Sequence, residues 1–313
     1  MAGIKELKTR IKSIGSTRKI TRAMQMVSAA KMRKAQTATL QSRSYASLAW
    51  EMIGSLGGDK SNLFFERSRE DKLFSTSSNN IKEQGAKKFG VILLTSNRGL
   101  VGSLNSNLMN VARPIMGSEE TIAEIITYGK KGQVIAARLK KNVVADFPKF
   151  DRTISIEDIY PIAKFVSDAY NTGKYQKIVI VYNHFVSTLQ QKPMVKQLLP
   201  FANERVEGIG LRAKEDQLNP KPLALSADSD VLFEPSPRSV IDHLIPRIIE
   251  SQIYQTILES DASEHSARMV MMKNATEAAG DLISDLTLTF NQLRQNKITT
   301  ELAEITAGKI ALE

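Results

Sequence analysis

Cysteine is absent from this chain of 313 residues, which excludes disulfides, thiolate metal sites and thiol catalysis. The three histidines, His184, His243 and His265, have no metal-ligand spacing, so no metal site is expected. No run of about 18 apolar residues occurs, the length a membrane-spanning helix needs, so no spanning segment is expected. Proline is missing before Pro114, so nothing interrupts a helix in the first third of the chain.

Positive charge is in excess. The net charge is +10 and the pI near 9.6, which favours an anionic partner such as nucleic acid, a membrane surface or an acidic protein face. The excess is uneven. Residues 1–58 carry eleven Lys/Arg against two acids, Glu6 and Glu51, whereas residues 238–313 carry seven against eleven. Both ends show apolar residues at three- and four-residue spacing, the mark of long amphipathic helices. In the first, Ile4, Leu7, Ile11 and Ile14 follow a coiled-coil seam. The stripe then shifts to Ile20, Met24, Val27 and Met32, and later to Leu48, Met52, Ile53 and Leu56. Such a shift predicts a seam that locally unwinds, and Gly57-Gly58 marks a stop. The last helix has the cleaner repeat: Met269, Met272, Thr276, Ala279, Ile283, Leu286, Phe290 and Leu293. Its phase slips at Arg294, Gln295 and Asn296 before resuming at Ile298, Leu302 and Ile305. Pro246 lies near its start, where a kink is expected.

Between the helices the texture changes twice. Residues 59–88 are polar and aperiodic and read as a loop or insertion. Apolar runs at FGVILLT (89–95), TIAEIITYG (121–129), NVVADF (142–147), YQKIVIVYNHF (175–185) and TLQQKPMVKQLLP (188–200) read as strands. Helical stretches alternate with them, which predicts a mostly parallel sheet covered on both faces. Residues 201–237, with four prolines, read as the connection back. The fold class is therefore α/β: a long antiparallel coiled coil of the N-terminal (1–58) and C-terminal (238–313) helices, with a central Rossmann-like α/β domain (89–200).

Candidate chemistry is sparse. The turn TSNRGLVGSLNSN (95–107) is a Gly-rich link from strand to helix, where backbone N–H groups sometimes hold phosphate. It lacks a GK[ST] ending, and Gly99 and Gly102 do not make G-x-G-x-x-G, so a structural turn is the better reading. The acidic pairs Glu119/Glu120 and Asp281/Asp285 read as solvated charges. No nucleophile motif is present, so no catalytic, cofactor-binding or metal residues are assigned. The basic N-terminal helix is the stronger signal. Two alternatives stand beside a protein partner: a basic coiled-coil nucleic-acid-binding protein and a dinucleotide enzyme built on the Gly99–Gly102 turn. The first is short of aromatics, with only Tyr45 and Trp50 late in the helix.

Four segments together carry a resemblance. MAGIKELKTRIKSIGSTRKITRAMQMVSAAKMRKAQ (1–36) and SEHSARMVMMKNATEAAGDLISDLTLTFNQLRQNKITTELAEITAGKIAL (263–312) resemble the terminal signatures of the gamma subunit of F-type ATP synthases. TSNRGLVGSLNSNL is similar to that family's T-S-D-R-G-L-C-G-x-x-N-x-N turn, and YNHFVSTLQQKP to its late-strand segment. The resemblance implies a rotor stalk without a catalytic site. Its coiled coil would sit inside a ring of three alpha and three beta subunits, its globular domain on the c-subunit ring beside epsilon. It implies beta-subunit contact for Lys19, Arg22, Met24, Arg268, Arg294, Gln295 and Thr299, and an apolar bearing at Ile310, Ala311 and Leu312. No cofactor and no nucleic-acid partner are implied. The basic, Ser-containing start mimics a transit peptide, but its helical pattern continues without a break and is read as part of the mature protein. The implied location is peripheral, on the cytoplasmic face of a bacterial membrane. Asn97, Val101 and Ser103 stand where the family commonly has Asp, Cys and Gly, and the missing cysteines rule out the chloroplast-type dithiol switch.

Overall fold

The computed structural model describes residues 2–55, 87–116, 121–138, 141–152, 154–201 and 237–312. The stretches read as loops, 59–88 and 201–237, lie almost wholly outside the described residues. Two helices dominate. The first, α1 (Ala2–Ser55), has 54 residues and the last, α5 (Pro237–Leu312), has 76, with Pro246 inside it. At ~1.5 Å per residue they extend about 81 and 114 Å.

They run antiparallel. Thr21 Oγ1 lies 2.7 Å from Thr276 Oγ1, and the Arg18 guanidinium lies 3.4 Å from where a Cβ on Gly280 would be. Residue n of α1 thus faces residue 297 − n of α5. With this register the α1 seam continues from Ile14 through Thr21, Gln25, Ser28, Met32, Ala35 and Thr39, with Ser28, Met32, Ala35 and Thr39 buried. The expected phase shift is corrected: Ile20 and Val27 point outward, 61% and 56% exposed, one position off the seam. Small polar residues carry the repeat through the middle, and hydropathy alone misplaces it. Leu48, Met52 and Ile53 belong to α1, but their side chains lie outside the described residues, as does all of Leu56. On α5 the expected stripe faces α1, from buried Met272 and Ala279 to half-buried Ile283, Leu286 and Phe290.

The slip at residues 294–296 falls where the pairing with α1 stops. Leu293 faces Ile4, and α1 ends at Ala2. Among the described residues, α5 has no helix beside it beyond that point. Ile298, Leu302 and Ile305 are 48%, 58% and 68% exposed on a lone helix.

The central sheet has the order β3-β2-β1-β4-β5. Its strands are β1 (Lys87–Leu94), β2 (Thr121–Tyr128), β3 (Val143–Phe147), β4 (Lys177–Phe185) and β5 (Gln191–Leu199). All neighbours are parallel except β5, which pairs antiparallel with β4 through a hairpin. The helices α2 (Leu104–Met116), α3 (Lys130–Arg138) and α4 (Tyr160–Asn171) complete the layers. Side chains alternate across a strand: Val91 and Leu93 join Leu108, Ala112 and Ala136, while Ile92 and Leu94 join Ile162, Val166 and the start of α5. Burial on both faces explains why FGVILLT reads as an unbroken apolar run. Ile245, Ile249, Ile253 and Ile257, at four-residue spacing, press α5 onto the sheet before it leaves as the shaft.

Candidate partner interface and its anchoring

The seam determines what α1 shows to its surroundings. One residue beyond each seam position, about 100° around the helix, lie Lys5, Lys8, Lys12, Lys19, Arg22 and Arg33, all exposed. They form a single basic stripe about 42 Å long at ~1.5 Å per residue. Met26 interrupts it as a 61% exposed apolar patch. Of the residues singled out in KITRAMQMV, Lys19 and Arg22 lie on this stripe and Met24 is half-buried at the seam edge.

Arg294, Gln295 and Thr299 are all exposed where α5 leaves α1 behind. Among the described residues, nothing packs against this segment. It is held by its own backbone, by Thr hydroxyls donating to carbonyls four residues back, such as Thr299 to Gln295, and by a Lys297–Glu301 pair at 3.3 Å. Exposed pairs of this kind contribute about 0.5 kcal/mol or less, and a lone helix of this length is marginal in water. Ile310, Ala311 and Leu312 are helical, with side chains outside the described residues.

Arg268 has a different setting. It is 8% exposed, donates to Glu264 Oε1 at 2.7 Å, and reaches the carbonyls of Arg98 and Gly99 at 3.4 and 3.5 Å. Its guanidinium is engaged inside the chain, against the Gly-rich turn. The sequence reading missed its neighbour Lys149, which follows β3 and lies 2.6 Å from Asp261 Oδ1 and 2.5 Å from Glu264 Oε2, all nearly sealed from solvent. Two cations and two carboxylates balance in this cluster. Burial alone would raise the Glu264 carboxyl, but Lys149 and Arg268 outweigh it and hold it at about 2. Burial also works against the charge on Lys149, yet Asp261 and Glu264 prevail and raise its value. Asp261 is pushed up by its burial in spite of Lys149. Removing one partner of such a buried set costs about 3–5 kcal/mol. The exposed Arg98–Asp151 pair nearby contributes about 0–1 kcal/mol.

The turn at 95–107 spends its polar groups internally. Thr95 Oγ1 donates to the Tyr128 and Gly129 carbonyls and accepts from Gly132 N at 2.8 Å. Asn105 binds Ser96 through both side-chain atoms. Asn97 Nδ2 donates to the Lys149 carbonyl at 2.6 Å, a bond the family's usual aspartate has no proton to make. Val101 is buried with Leu104 and Ala267, and Ser103 directly precedes α2, a position that favours serine. Gly102, at φ 59, sits 3.2 Å from Met271 Sδ measured from its would-be Cβ, so the turn meets α5 closely. This geometry supports a structural turn that ties three strand ends to the shaft. Glu119 and Glu120 lie outside the described residues, and Asp281 and Asp285 are exposed. Among the described residues no cluster of His, Asp and Glu could hold a metal, and no helix is long and apolar enough to cross a membrane.

The signal that could have exposed the Lys149 cluster is the run ESDASEHSAR (259–268). It is a polar stretch set between two apolar-periodic ones within one helix. Nine of its ten residues are buried.

Fold and surfaces together define a shaft-bearing protein: two unequal helices, gripped by an α/β domain, with a basic flank and a bare end. The sequence model of the family described as ATP synthase matches residues 3–312. The chain is 38% identical over 315 residues to the ATP synthase gamma chain of Legionella pneumophila (strain Corby), and 37% identical over 316 residues to that of Xanthomonas oryzae pv. oryzae (strain PXO99A). Each alignment spans 100% of both chains. The chain belongs to the ATP synthase gamma-chain family. Its fold also matches a chain of the Euglena gracilis mitochondrial ATP synthase rotor in rotational state 1, with TM-score 0.61 at 18% identity, over 95% of this chain and 99% of that one. A chain of the same organism's OSCP/F1/c-ring assembly in rotational state 3 matches with TM-score 0.63 at 19% identity, over 99% and 95%. The comparisons lend no support to the nucleic-acid-binding alternative.

Proposed function

We propose that this chain is the central rotor stalk of an ATP synthase, coupling rotation driven by proton flow to conformational change at catalytic sites on other subunits. The observation that carries the reading is the bare end of α5. A long lone helix with exposed Ile298, Leu302 and Ile305 is a surface built to be enclosed. A ring of three alpha and three beta subunits supplies that enclosure, with Ile310, Ala311 and Leu312 in its apolar bearing. Lys19, Arg22 and Met24 then face acidic beta loops, and Arg294, Gln295 and Thr299 form a polar collar where the shaft becomes a single helix. Arg268 enters through the turn it holds rather than as a free cation. The α/β domain stands on the c-subunit ring beside epsilon, and the whole is peripheral at the cytoplasmic face of a bacterial membrane.

The shaft has no catalytic site of its own. Its asymmetry is its means of action. The basic stripe lies on one flank only, so each orientation offers a given beta subunit a different surface, and rotation shifts the conformational equilibrium of each in turn. The test is assembly. Co-expression with cognate alpha and beta subunits should yield a complex of three alpha, three beta and one copy of this chain with ATPase activity. Recovery of alpha and beta without this chain would refute the proposal.

A further inference from the structure

Resting on the rotor reading, we propose that residues 259–268 of α5, with Lys149 as the central partner, form the torque joint that locks the shaft to the α/β domain. The buried polar residues fall at two angular positions around the helix. At 3.6 residues per turn, successive positions differ by about 100°. Glu259, Ser263 and Ser266 therefore fall within about 60° of one another on one face of the helix. Asp261, Glu264 and Arg268 fall within a similar arc on the opposite face.

Each face has its own grip. On the first, His184 Nδ1 meets Glu259 Oε2 at 2.8 Å, Ser263 Oγ donates to the Asn183 carbonyl at 2.8 Å, and Ser266 Oγ donates to the Thr188 carbonyl at 2.6 Å. All three partners belong to the β4–β5 hairpin. On the second, Lys149 holds Asp261 and Glu264, while Arg268 reaches the carbonyls of Arg98 and Gly99. Those partners belong to the ends of β3 and β1. A third side is closed by Val101 and Leu104 against Ala267, and the fourth by Met32 and Ala35 of α1. The helix is enclosed all round, between two polar jaws.

This arrangement suits torque and not merely adhesion. Burial of apolar surface is non-directional, so the isoleucine stripe at 245–257 resists separation but yields readily to rotation about the helix axis. Hydrogen bonds and ion pairs have strict reach. At a radius of about 5 Å, a twist of about 20° moves a side-chain partner by about 2 Å, enough to break a bond of 2.6–2.8 Å. Jaws on opposite faces are strained in opposite directions by the same twist, and so resist it as a couple. Lys149 is the positioning residue of the second jaw, since it alone joins β3 to two carboxylates one turn apart.

The experiment compares two outputs of the assembled enzyme in vesicles. Hydrolysis of ATP by the ring needs only the shaft inside it, whereas ion uptake needs torque carried through the joint to the membrane ring. Lys149→Met and Glu264→Gln should leave ATP hydrolysis near wild type while ion uptake per ATP falls several-fold, and Lys149→Arg should restore most of it. Glu264→Gln is isosteric and decides the matter if Lys149→Met does not assemble. Wild-type uptake per ATP in the assembled variants overturns the joint and leaves the rotor reading intact. Parallel loss of uptake and hydrolysis overturns it as well. Failure of the wild-type chain to assemble would instead defeat the rotor reading.

Discussion

Acidification should weaken the shaft's anchorage through one residue, His265. It lies on α5 beside the cluster, and it shares a cavity of about 200 Å³ with Lys31, Lys34, Arg152 and Asp261. Arg268 Nη1 approaches its Nδ1 at 3.4 Å, so the ring accepts and must be neutral there. Burial first, then Lys149 and Arg268, push its value from 6.5 down to about 4, against the opposing pull of Glu264. The unfolded chain therefore takes up this proton before the folded one. Stability is full above 6.5, falls as pH drops through that value, and levels off below about 4. At pH 5 the loss from this group alone is about 2 kcal/mol. Glu264, at about 2, titrates below this window, and the raised Asp261 acts in the opposite direction. His265→Asn keeps an acceptor for Arg268 and cannot titrate, so it isolates the effect. Urea unfolding of both chains at pH 7 and pH 5 reads the difference. If wild type and His265→Asn lose the same stability between the two, the reasoning fails.

Other outcomes follow from the same geometry. Gly129 has φ 100 and its would-be Cβ collides with the Thr95 carbonyl oxygen, so Gly129→Ala should cost about 2–5 kcal/mol in urea unfolding. Gly173 has φ 71 in open space, and Gly173→Ala should cost only about 1–2 kcal/mol; equal costs would show that the Thr95 contact does not matter. Replacing Arg294 and Gln295 by Ala should weaken coupled turnover of the assembled enzyme without lowering helicity of the free chain, since Ala is the stronger helix former. Unchanged turnover would remove both from the contact surface. Amides at 296–307 should exchange far faster in the free chain than those at 269–290, and become protected on assembly with alpha and beta. Equal protection in the free chain would contradict a lone, marginal helix end.

The fold was legible wherever periodicity is unambiguous. FGVILLT and IVIVY are apolar without alternation because both faces of β1 and β4 are covered, and that pattern leads directly to a parallel, two-layered sheet. The seam of α5 was legible because its apolar residues keep strict spacing. The seam of α1 was legible from Ile4 to Ile14 and again at Met32 but not between, because Thr21, Gln25 and Ser28 occupy its core positions while Ile20 and Val27 face outward. Hydropathy follows the larger side chains and so left the seam at Ile20 and Val27. Lys149 was illegible for another reason. Its partners lie more than a hundred residues away, and nothing local distinguishes it from a solvated lysine. Asn97 was visible as a departure from the family pattern, but its consequence, a donor to the Lys149 carbonyl, depended on the fold.

The chemistry of α5 changes along its length in step with what surrounds it. From Ile245 to Leu258 it covers a sheet, and its inward face is aliphatic. From Glu259 to Arg268 it is enclosed, and apolar residues on every side would leave its rotational setting undetermined; polar residues with assigned partners determine it. From Met269 to Leu293 it faces one helix, and its seam is Met, Thr and Ala as far as Ala279, with Thr21 and Thr276 in contact at 2.7 Å, and Ile, Leu and Phe from Ile283 to Leu293. From Arg294 onward it faces nothing among the described residues, and Ile298, Leu302 and Ile305 stay apolar and exposed. A free helix end gains nothing from such residues. The proposed ring would enclose them, and the basic stripe on α1 favours acidic walls beside it.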